Sequence, residues 1–458
     1  MDESAPQARQ LEKPARVSGF TAACVLVSNV IGSGIFTTTG FMARDLGDAG
    51  SILALWLVGA FLALAGALAY SELGAALPRV GGEYVYLTEA YGPLAGFLSG
   101  WASFAVGFAA AIAAGAVSFA SYLLQVLPFN KDHALIEAVV ALALLWGLTI
   151  FHVVGVGTGA RLQRLLTVVK VGSILALAIG ALAVGHGDWA HLAVPYSETT
   201  PAFGALVVSL VFVMYAYSGW NAAGYIAGEI ADPGRNIPRA LIAGTLFVGL
   251  TYLVLNLVYF YALPVTALAQ PPVLPVAEKA SMAMFGAQGA RLIAVMLCLS
   301  ISAAVSAMIW AGPRVYYTMA KDRRFPAVFA HTWGDPYTPR TAILLQSVWA
   351  TMLILSGTFE RLVIYSGVVL TVFSGLAVGA VIMLRRRKPD LARPFKVPFY
   401  PVVPIVYVGV ALLIVVYSVV ERPVESGWAL ATIFAGLPIY AFYKRPLRGQ
   451  TTGTGAQL

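Results

Sequence analysis

The sequence predicts an all-α polytopic membrane protein with twelve transmembrane helices. Of its 458 residues, 59% are hydrophobic and 11% are charged, whereas soluble domains carry about 25% charged residues. Long runs without a charged residue recur along the whole chain, and a bilayer requires about 20 apolar residues per spanning helix. This composition argues against a cytosolic enzyme, a nucleic-acid-binding protein and a disordered chain.

Twelve apolar runs predict the spanning helices, which are numbered spans 1 to 12. In chain order they cover residues 19–43, 51–77, 94–127, 136–154, 162–184, 202–229, 238–263, 287–320, 341–357, 361–384, 400–420 and 426–443. An even number of spans places both termini on one side of the membrane. Lys and Arg residues divide 22 to 6 in favour of the side that holds the N-terminus.

This charge asymmetry predicts the orientation of the chain. By the positive-inside rule, it indicates a multi-pass protein of the plasma (inner) membrane, with cytoplasmic tails at residues 1–18 and 444–458. The net charge of +8 then follows from topology and not from nucleic-acid binding. The basic segment RRRKPDLARPFK at 385–396 also has the charge to contact anionic lipid.

Spans 1 and 6 each contain a glycine-rich interruption at mid-span. Span 1 carries NVIGSGIF at 29–36, and span 6 carries YAYSGWN at 215–221. Glycine is a poor helix former, and unwound backbone is tolerated in a membrane only where protein covers it or where it lines a cavity. Unwinding frees amide groups for a carboxylate and carbonyl groups for an ammonium, as a zwitterionic amino acid requires. The alternative is close helix packing, as expected for Gly96 and Gly100 in span 3.

The two interruptions open consecutive sets of five spans, as an inverted repeat requires, with units at 19–184 and 202–384 followed by two further helices at 400–443. With neighbouring motifs, they resemble the amino acid–polyamine–organocation (APC) superfamily of transporters, closest to its L-amino acid transporter-like branch. The motifs are VIGSGIF at 30–36, AYSELG at 69–74, GGEY at 81–84, YSGWN at 217–221, AGE at 227–229 and DP at 232–233. The resemblance implies a LeuT-type fold in which broken helices 1 and 6 hold the substrate together with spans 3 and 8.

The resemblance also assigns substrate contacts to both interruptions. The amides at 32–34 are expected to bind the substrate carboxylate, and the carbonyl groups at 31 and 217–218 its ammonium group. Tyr215 corresponds to an aromatic gate above the substrate. Trp220 and Asn221 are expected to shape the pocket, or alternatively to pack the second half-helix. The expected substrate-binding residues are Ile31, Gly32, Ser33, Gly34, Tyr215, Tyr217, Ser218, Gly219, Trp220 and Asn221.

Lys170 is predicted to lie deep inside span 5, about two and a half helical turns beyond Arg161. A charge at the centre of a spanning helix costs about 2.5–3.5 kcal/mol or more, so such a residue normally has a function. The alternative is that its ammonium extends back to the interface. The resemblance implies that this ammonium replaces a sodium ion, contacting carbonyl groups at the span-1 break and the hydroxyl of Ser302. Loss of its proton would instead couple transport to pH.

Neither a metal site nor a cofactor site is predicted. Cys24 and Cys298 lie in apolar runs, and the five histidines are scattered without ligand spacing. No outer loop carries a cysteine for a disulfide-linked subunit, so a monomer or a weak homo-oligomer is expected. Nucleophile, base and orienting acid do not occur together, which argues against an enzyme.

Glu72 and Glu229 end spans 2 and 6. There they would either pair with basic residues as an inner gate or be solvated. The candidate partners are Arg79, Arg235 and Arg239.

These features predict a sodium-independent secondary transporter, either an exchanger (antiporter) or a facilitator, of L-amino acids by alternating access. The resemblance favours a neutral substrate, because span 3 contains no carboxylate where relatives that carry cationic amino acids often have one. Its stretch 109–115 is small and apolar, which fits either a neutral side chain or tight packing of a tilted helix. One alternative is a proton-coupled importer of amino acids or polyamines. Another, from a different class, is an amino acid sensor or channel that does not carry out transport by alternating access.

Overall fold

The computed structural model describes residues 17–126, 134–184, 186–193, 201–271, 273, 276–333, 338–356 and 359–444. Within these residues the regular secondary structure is helical, apart from one isolated parallel bridge between Val17 and Ile230. The two predicted tails lie almost entirely outside the described residues.

Seventeen α-helices form the described part of the chain. They are α1 (Gly19–Val30), α2 (Ser33–Leu46), α3 (Ala49–Ala76), α4 (Glu83–Tyr91), α5 (Pro93–Ala102), α6 (Phe108–Val126), α7 (Ala134–Val154), α8 (Val156–Val184), α9 (Phe203–Tyr217), α10 (Ala222–Tyr225), α11 (Pro233–Ala262), α12 (Val265–Ala269), α13 (Val276–Lys321), α14 (Arg340–Ser356), α15 (Phe359–Arg387), α16 (Val402–Glu421) and α17 (Pro423–Lys444). A π-helical turn, Ser103–Gly107, joins α5 to α6.

Ten helical segments of the described chain are long and apolar enough to cross a membrane, and α9 and α14 are two shorter apolar helices. The prediction of an all-helical polytopic membrane protein is therefore confirmed. Span 8, predicted at 287–320, corresponds to the part of α13 that follows a bend at Gly286, and α13 as a whole begins earlier, at Val276. Gly286 has a φ of 68°, which glycine adopts at little steric cost, so the helix resumes directly after the bend.

Both predicted interruptions are present as breaks in helical geometry. α1 ends at Val30 and α2 begins at Ser33, with Gly32 extended between them. α9 ends at Tyr217, and after residues 218–221 only the single turn of α10 and a 3₁₀ turn precede α11. Each break therefore leaves one helix C-terminus and one new helix start within the protein.

The interrupted helices lie at the centre of the bundle. α1 packs against α8, α11 and α13, while α2 packs against α9 and α12. Most residues of α1, α2 and α9 are buried. By contrast, α16 and α17 expose large apolar side chains such as Val420, Trp428 and Phe434, as expected of helices that face lipid. The polar backbone of the breaks is thus shielded by surrounding helices.

Candidate substrate site

The two breaks meet where the backbones of α2 and α9 come close together. A Cβ atom added to Gly34 would lie 2.7 Å from the Cα atom of Ala216. The hydroxyl of Tyr252, on α11, lies 2.7 Å from the carbonyl oxygen of Val30 and 2.8 Å from that of Ala216. Glycine at position 34 permits the approach, and Tyr252 joins the ends of α1 and α9.

The start of α2 offers amide groups that no side chain caps. Gly32 is the N-cap residue, and it cannot supply a capping side chain. The first amides of a helix have no partner within the helix, and the helix dipole favours an anion at this end. Gly32, Ser33 and Gly34 line a central cavity, and an uncapped helix start of this kind is chemically suited to an anion.

The end of α9 supplies carbonyl groups beside the same cavity. Ser218 leaves the helical conformation with ψ of 147°, and Gly219 follows with φ of 97°. A Cβ atom at Gly219 would also lie 2.5 Å from Nδ2 of Asn29, so both conformation and space require glycine there. The last carbonyl groups of a helix have no partner within it, and Ser218, directly after the end of α9, lines the central cavity.

Among the described residues, the wall of the central cavity carries no charged side chain. Its surface is formed by both breaks, by the small residues of α6, and by α13. The lining residues are Asn29, Val30, Gly32, Ser33, Gly34, Ala111, Gly115, Tyr215, Ala216, Ser218, Ile301, Ala304 and Met308. An uncharged wall suits a neutral group, and the small residues in it suit a compact one.

The expected site residues are distributed between this central cavity and its surroundings. Of the expected set, Gly32, Ser33, Gly34, Tyr215 and Ser218 line the central cavity. Three further residues of the expected set, which come after Ser218 in the chain, line a second cavity: Gly219, Trp220 and Asn221. Tyr215 and Ser218 border this second cavity as well.

Ile31 and Tyr217 are not among the residues that line either cavity, and both are hydrogen-bonded within the protein. The Ile31 carbonyl accepts a hydrogen bond from Lys170. Tyr217 is buried, with its hydroxyl 3.3 Å from the Trp56 carbonyl oxygen, and its ring packs against Tyr252. Both residues therefore stabilise the breaks, whatever their carbonyl groups contribute to binding.

Lys170 reaches the C-terminal end of α1 from α8. Its side chain is completely buried, and Nζ donates hydrogen bonds to the carbonyl oxygens of Ser28, at 2.8 Å, and Ile31. The Ser302 hydroxyl, expected to contact it, donates instead to the Cys298 carbonyl oxygen of its own helix. Burial at this depth is incompatible with a side chain that extends to the interface.

Sequence reasoning missed three residues of the site: Ser28, Asn29 and Tyr252. Asn29 lies in the quoted break motif, and its amide lies 3.5 Å from the Gly219 carbonyl oxygen on the opposite break. Tyr252 lies in a long apolar run, where one tyrosine among many carries no distinguishing signal. Only the packing of α11 against α1 brings its hydroxyl to Val30.

The predicted cytoplasmic side carries ion pairs whose partners differ from the expected ones. Glu229 pairs with Arg314 of α13, whose Nε lies 2.7 Å from Oε1. Glu72 pairs with Arg385, at 2.5 Å, and with Arg393. The expected pairings with Arg79, Arg235 and Arg239 were wrong. Those arginines are close to the two glutamates in sequence, but the packing of the bundle places arginines of α13 and α15 beside the carboxylates. Arg79 instead faces Glu89 and Asp322, both at 3.8 Å.

We expect Glu229→Gln to destabilise the protein because Arg314 is only 2% exposed and would lose its carboxylate partner. Removal of one member of a buried pair costs about 3–5 kcal/mol. The melting temperature of the purified protein in detergent should fall by about 5 °C or more. The matched control is Asp45→Asn, which removes the carboxylate of the exposed pair with Arg44 and should cost less than about 1 kcal/mol. Equal shifts in the two variants would contradict this role of Glu229.

A polytopic helical bundle with an uncharged central cavity between two broken helices defines a membrane transporter of small molecules. The chain belongs to the amino acid permease family, whose model matches residues 17–438. It is therefore an amino acid transporter and not an enzyme.

Several curated proteins are similar along nearly the whole chain. The large neutral amino acids transporter small subunit 2 of Homo sapiens is 30% identical over 442 residues, covering 92% of this chain and 79% of the relative. The Asc-type amino acid transporter 1 of Mus musculus is 28% identical, covering 92% and 80%. The serine/threonine exchanger SteT of Bacillus subtilis is 28% identical, covering 93% and 95%. The resemblance inferred from the motifs is therefore confirmed.

Proposed function

We propose that the protein is a sodium-independent exchanger of neutral L-amino acids that works by alternating access. The observation that carries this proposal is the arrangement around the central cavity. Gly32, Ser33 and Gly34 bring the uncapped start of α2 to this cavity for the substrate carboxylate, and Ser218 brings the end of α9 to it for the ammonium, with the carbonyl group of Tyr217 adjacent in the chain. A single zwitterionic headgroup satisfies both.

Sodium independence is supported by the position of Lys170. Its nitrogen already satisfies the carbonyl groups of Ser28 and Ile31, which would otherwise be oxygen ligands for a cation. One positive charge supplied by the protein holds α8 against α1 without a bound ion. A neutral substrate side chain is supported by the absence of charged residues from the lining of the central cavity.

Exchange is favoured over one-way facilitation by the relatives. SteT is named as a serine/threonine exchanger, and the human relative is named for large neutral amino acids. The small residues Ala111, Gly115 and Ala304 border the central cavity and favour a compact substrate in this chain. We therefore place small neutral amino acids first among the substrates to test.

The remaining features of the proposal concern topology and assembly. We propose twelve spans in a LeuT-type arrangement of two inverted five-helix units, with both termini in the cytoplasm. The human relative is named as a small subunit, but Cys24 and Cys298, the two cysteines of this chain, are both buried. Under this proposal the chain has no disulfide-linked partner and works as a monomer or a weak homo-oligomer in contact with lipid.

Proteoliposome transport tests this function directly. Labelled amino acids are supplied outside, with and without unlabelled amino acid inside, in sodium and in choline buffers. We expect saturable uptake of a neutral amino acid that internal substrate accelerates by about tenfold or more and that sodium does not change. Sodium-stimulated uptake would contradict the assigned role of Lys170, and non-saturable flux would indicate a channel. No uptake of any amino acid would overturn the proposal.

A further inference from the structure

Glu83 is a buried carboxylate at the start of α4, beside the part of the chain that follows the α9 break. The residue is 3% exposed. Its Oε1 accepts hydrogen bonds from the Tyr70 hydroxyl, at 2.5 Å, and from Nδ2 of Asn221, at 2.9 Å. The same Asn221 amide also lies 3.0 Å from the Tyr225 hydroxyl oxygen. Glu83 therefore connects α3, α4 and the segment between α9 and α10.

No cation pairs with this carboxylate among the described residues. Cations at and just beyond the C-terminal end of α15 are engaged elsewhere: Arg385 with Glu72, Arg387 with the Ala90 carbonyl oxygen and Lys388 with Glu89. On the α13 side, Asp322 accepts a hydrogen bond from Tyr84 and faces Arg79. α5 carries no titratable side chain.

The titratable groups that face Glu83 are all tyrosines. They come from α3, from α4 itself, from α10 and from α16, and they are Tyr70, Tyr86, Tyr225 and Tyr407. Hydrogen bonds from tyrosine and asparagine favour the ionised carboxylate, as does its place in the first turn of α4. Burial outweighs them and raises the pKa of Glu83 above its usual value.

Glu83 also lines the second cavity, which adjoins the central one. The wall of this cavity contains the residues that follow the α9 break, hydroxyl groups of α15 and Tyr407 of α16. Tyr215 and Ser218 border both cavities. A change in the bond between Glu83 and Asn221 therefore acts on the same break that forms one side of the central cavity.

We propose that Glu83 is a proton-binding site that controls how firmly α4 holds the second part of broken helix 6. The ionised carboxylate accepts a charge-assisted hydrogen bond from Asn221, which is roughly twice as strong as a neutral one. Protonation weakens this bond and releases Asn221. The proton comes from water and returns to water, and the carboxyl O–H bond is the one that forms and breaks.

Exchange should therefore become faster as the pH falls. This inference rests on the proposed exchange activity and adds the group that titrates. Exchange of a neutral amino acid is measured between pH 5 and 8, with equal pH on both sides, where the substrate stays zwitterionic. We expect the wild-type rate to rise by about threefold or more towards acid, since protonation removes a bond that resists helix movement.

Glu83→Gln mimics the neutral carboxyl, so its rate should be independent of pH and close to the acid rate of the wild type. Tyr70→Phe removes one donor to the ionised form and should move the midpoint of the pH profile upwards by about one pH unit. The matched control is Glu89→Gln, a carboxylate on the same helix that pairs with Lys388 at the surface, and it should keep the wild-type profile.

The outcomes separate this inference from the proposed function. Wild-type exchange with a flat pH profile overturns the role of Glu83 and leaves the transport proposal intact. A pH profile that Glu83→Gln retains assigns the titration to another group. If Glu83→Gln does not fold, an unchanged midpoint in Tyr70→Phe overturns the inference. Absence of exchange at every pH overturns the transport proposal itself.

Discussion

Lys170→Ala is expected to reduce amino acid uptake by more than about tenfold while leaving the protein folded. The substitution leaves the carbonyl oxygens of Ser28 and Ile31 without their shared donor at the end of α1. Each buried acceptor without a partner costs about 1–3 kcal/mol, and about 1.4 kcal/mol corresponds to a factor of ten in an equilibrium constant. The packing of α1 against α8 that Lys170 stabilises is then populated too rarely to support transport.

One further variant and the addition of sodium show whether the Lys170 nitrogen acts as a cation or only fills space. Lys170→Met fills most of the volume without a charge, so we expect it to be as inactive as Lys170→Ala. In Lys170→Ala, sodium has room to reach the two carbonyl groups, so about 100 mM sodium should restore part of the uptake. Lys321→Ala, which removes an exposed lysine at the end of α13, should keep wild-type uptake. Unchanged uptake in Lys170→Ala would remove this residue from the mechanism.

Gly34→Ala is expected to have an effect of similar size through steric overlap. The added Cβ atom would lie 2.7 Å from the Cα atom of Ala216 and 2.8 Å from its Cβ atom. A flexible side chain could rotate away, but a backbone atom moves only if α2 or α9 moves with it. Overpacking of this kind costs about 1–3 kcal/mol, and here it also displaces the amides of the site. We expect uptake to fall by more than about tenfold in proteoliposomes, with normal expression.

Gly172→Ala is the matched control for this substitution. Gly172 lies in α8, two residues beyond Lys170, and an added Cβ atom there meets nothing within 4 Å. Alanine is the better helix former by about 1 kcal/mol, so the control should fold at least as well as the wild type. Equal uptake by Gly34→Ala and the wild type would show that the two breaks separate without cost.

Much of the fold was predictable because bilayer solvation acts on each segment separately. An apolar run such as 51–77 must form a helix in lipid, whatever its neighbours are, so its place and approximate length follow from composition. The breaks at Gly32 and Gly219 were predictable for a related reason, since glycine lowers the local cost of leaving the helix. Lys170 was recognisable in the sequence because charged residues are rare within the spans. The structure then shows that it is fully buried. The count of twelve spans and the inverted repeat remain predictions.

The contacts of the site were less predictable because they join segments far apart in the chain. Glu72 pairs with Arg385, 313 residues away, where sequence proximity had suggested Arg79. Trp220 and Asn221 belong to the second cavity, although they directly follow the break. The Ser302 hydroxyl is satisfied within its own helix, which no motif indicates.

By itself, the sequence predicted a helical membrane protein that resembles the APC transporters, with two glycine-rich interruptions and one lysine deep within a span. Those properties depend on hydropathy and on local backbone preference, which are encoded residue by residue. Only the tertiary structure decided that Tyr252 joins the two breaks and that Glu83 accepts a hydrogen bond from Asn221. The physical reason is that hydrogen-bond and ion-pair partners depend on which helix faces pack together, and in an apolar bundle many packings satisfy the same hydropathy pattern.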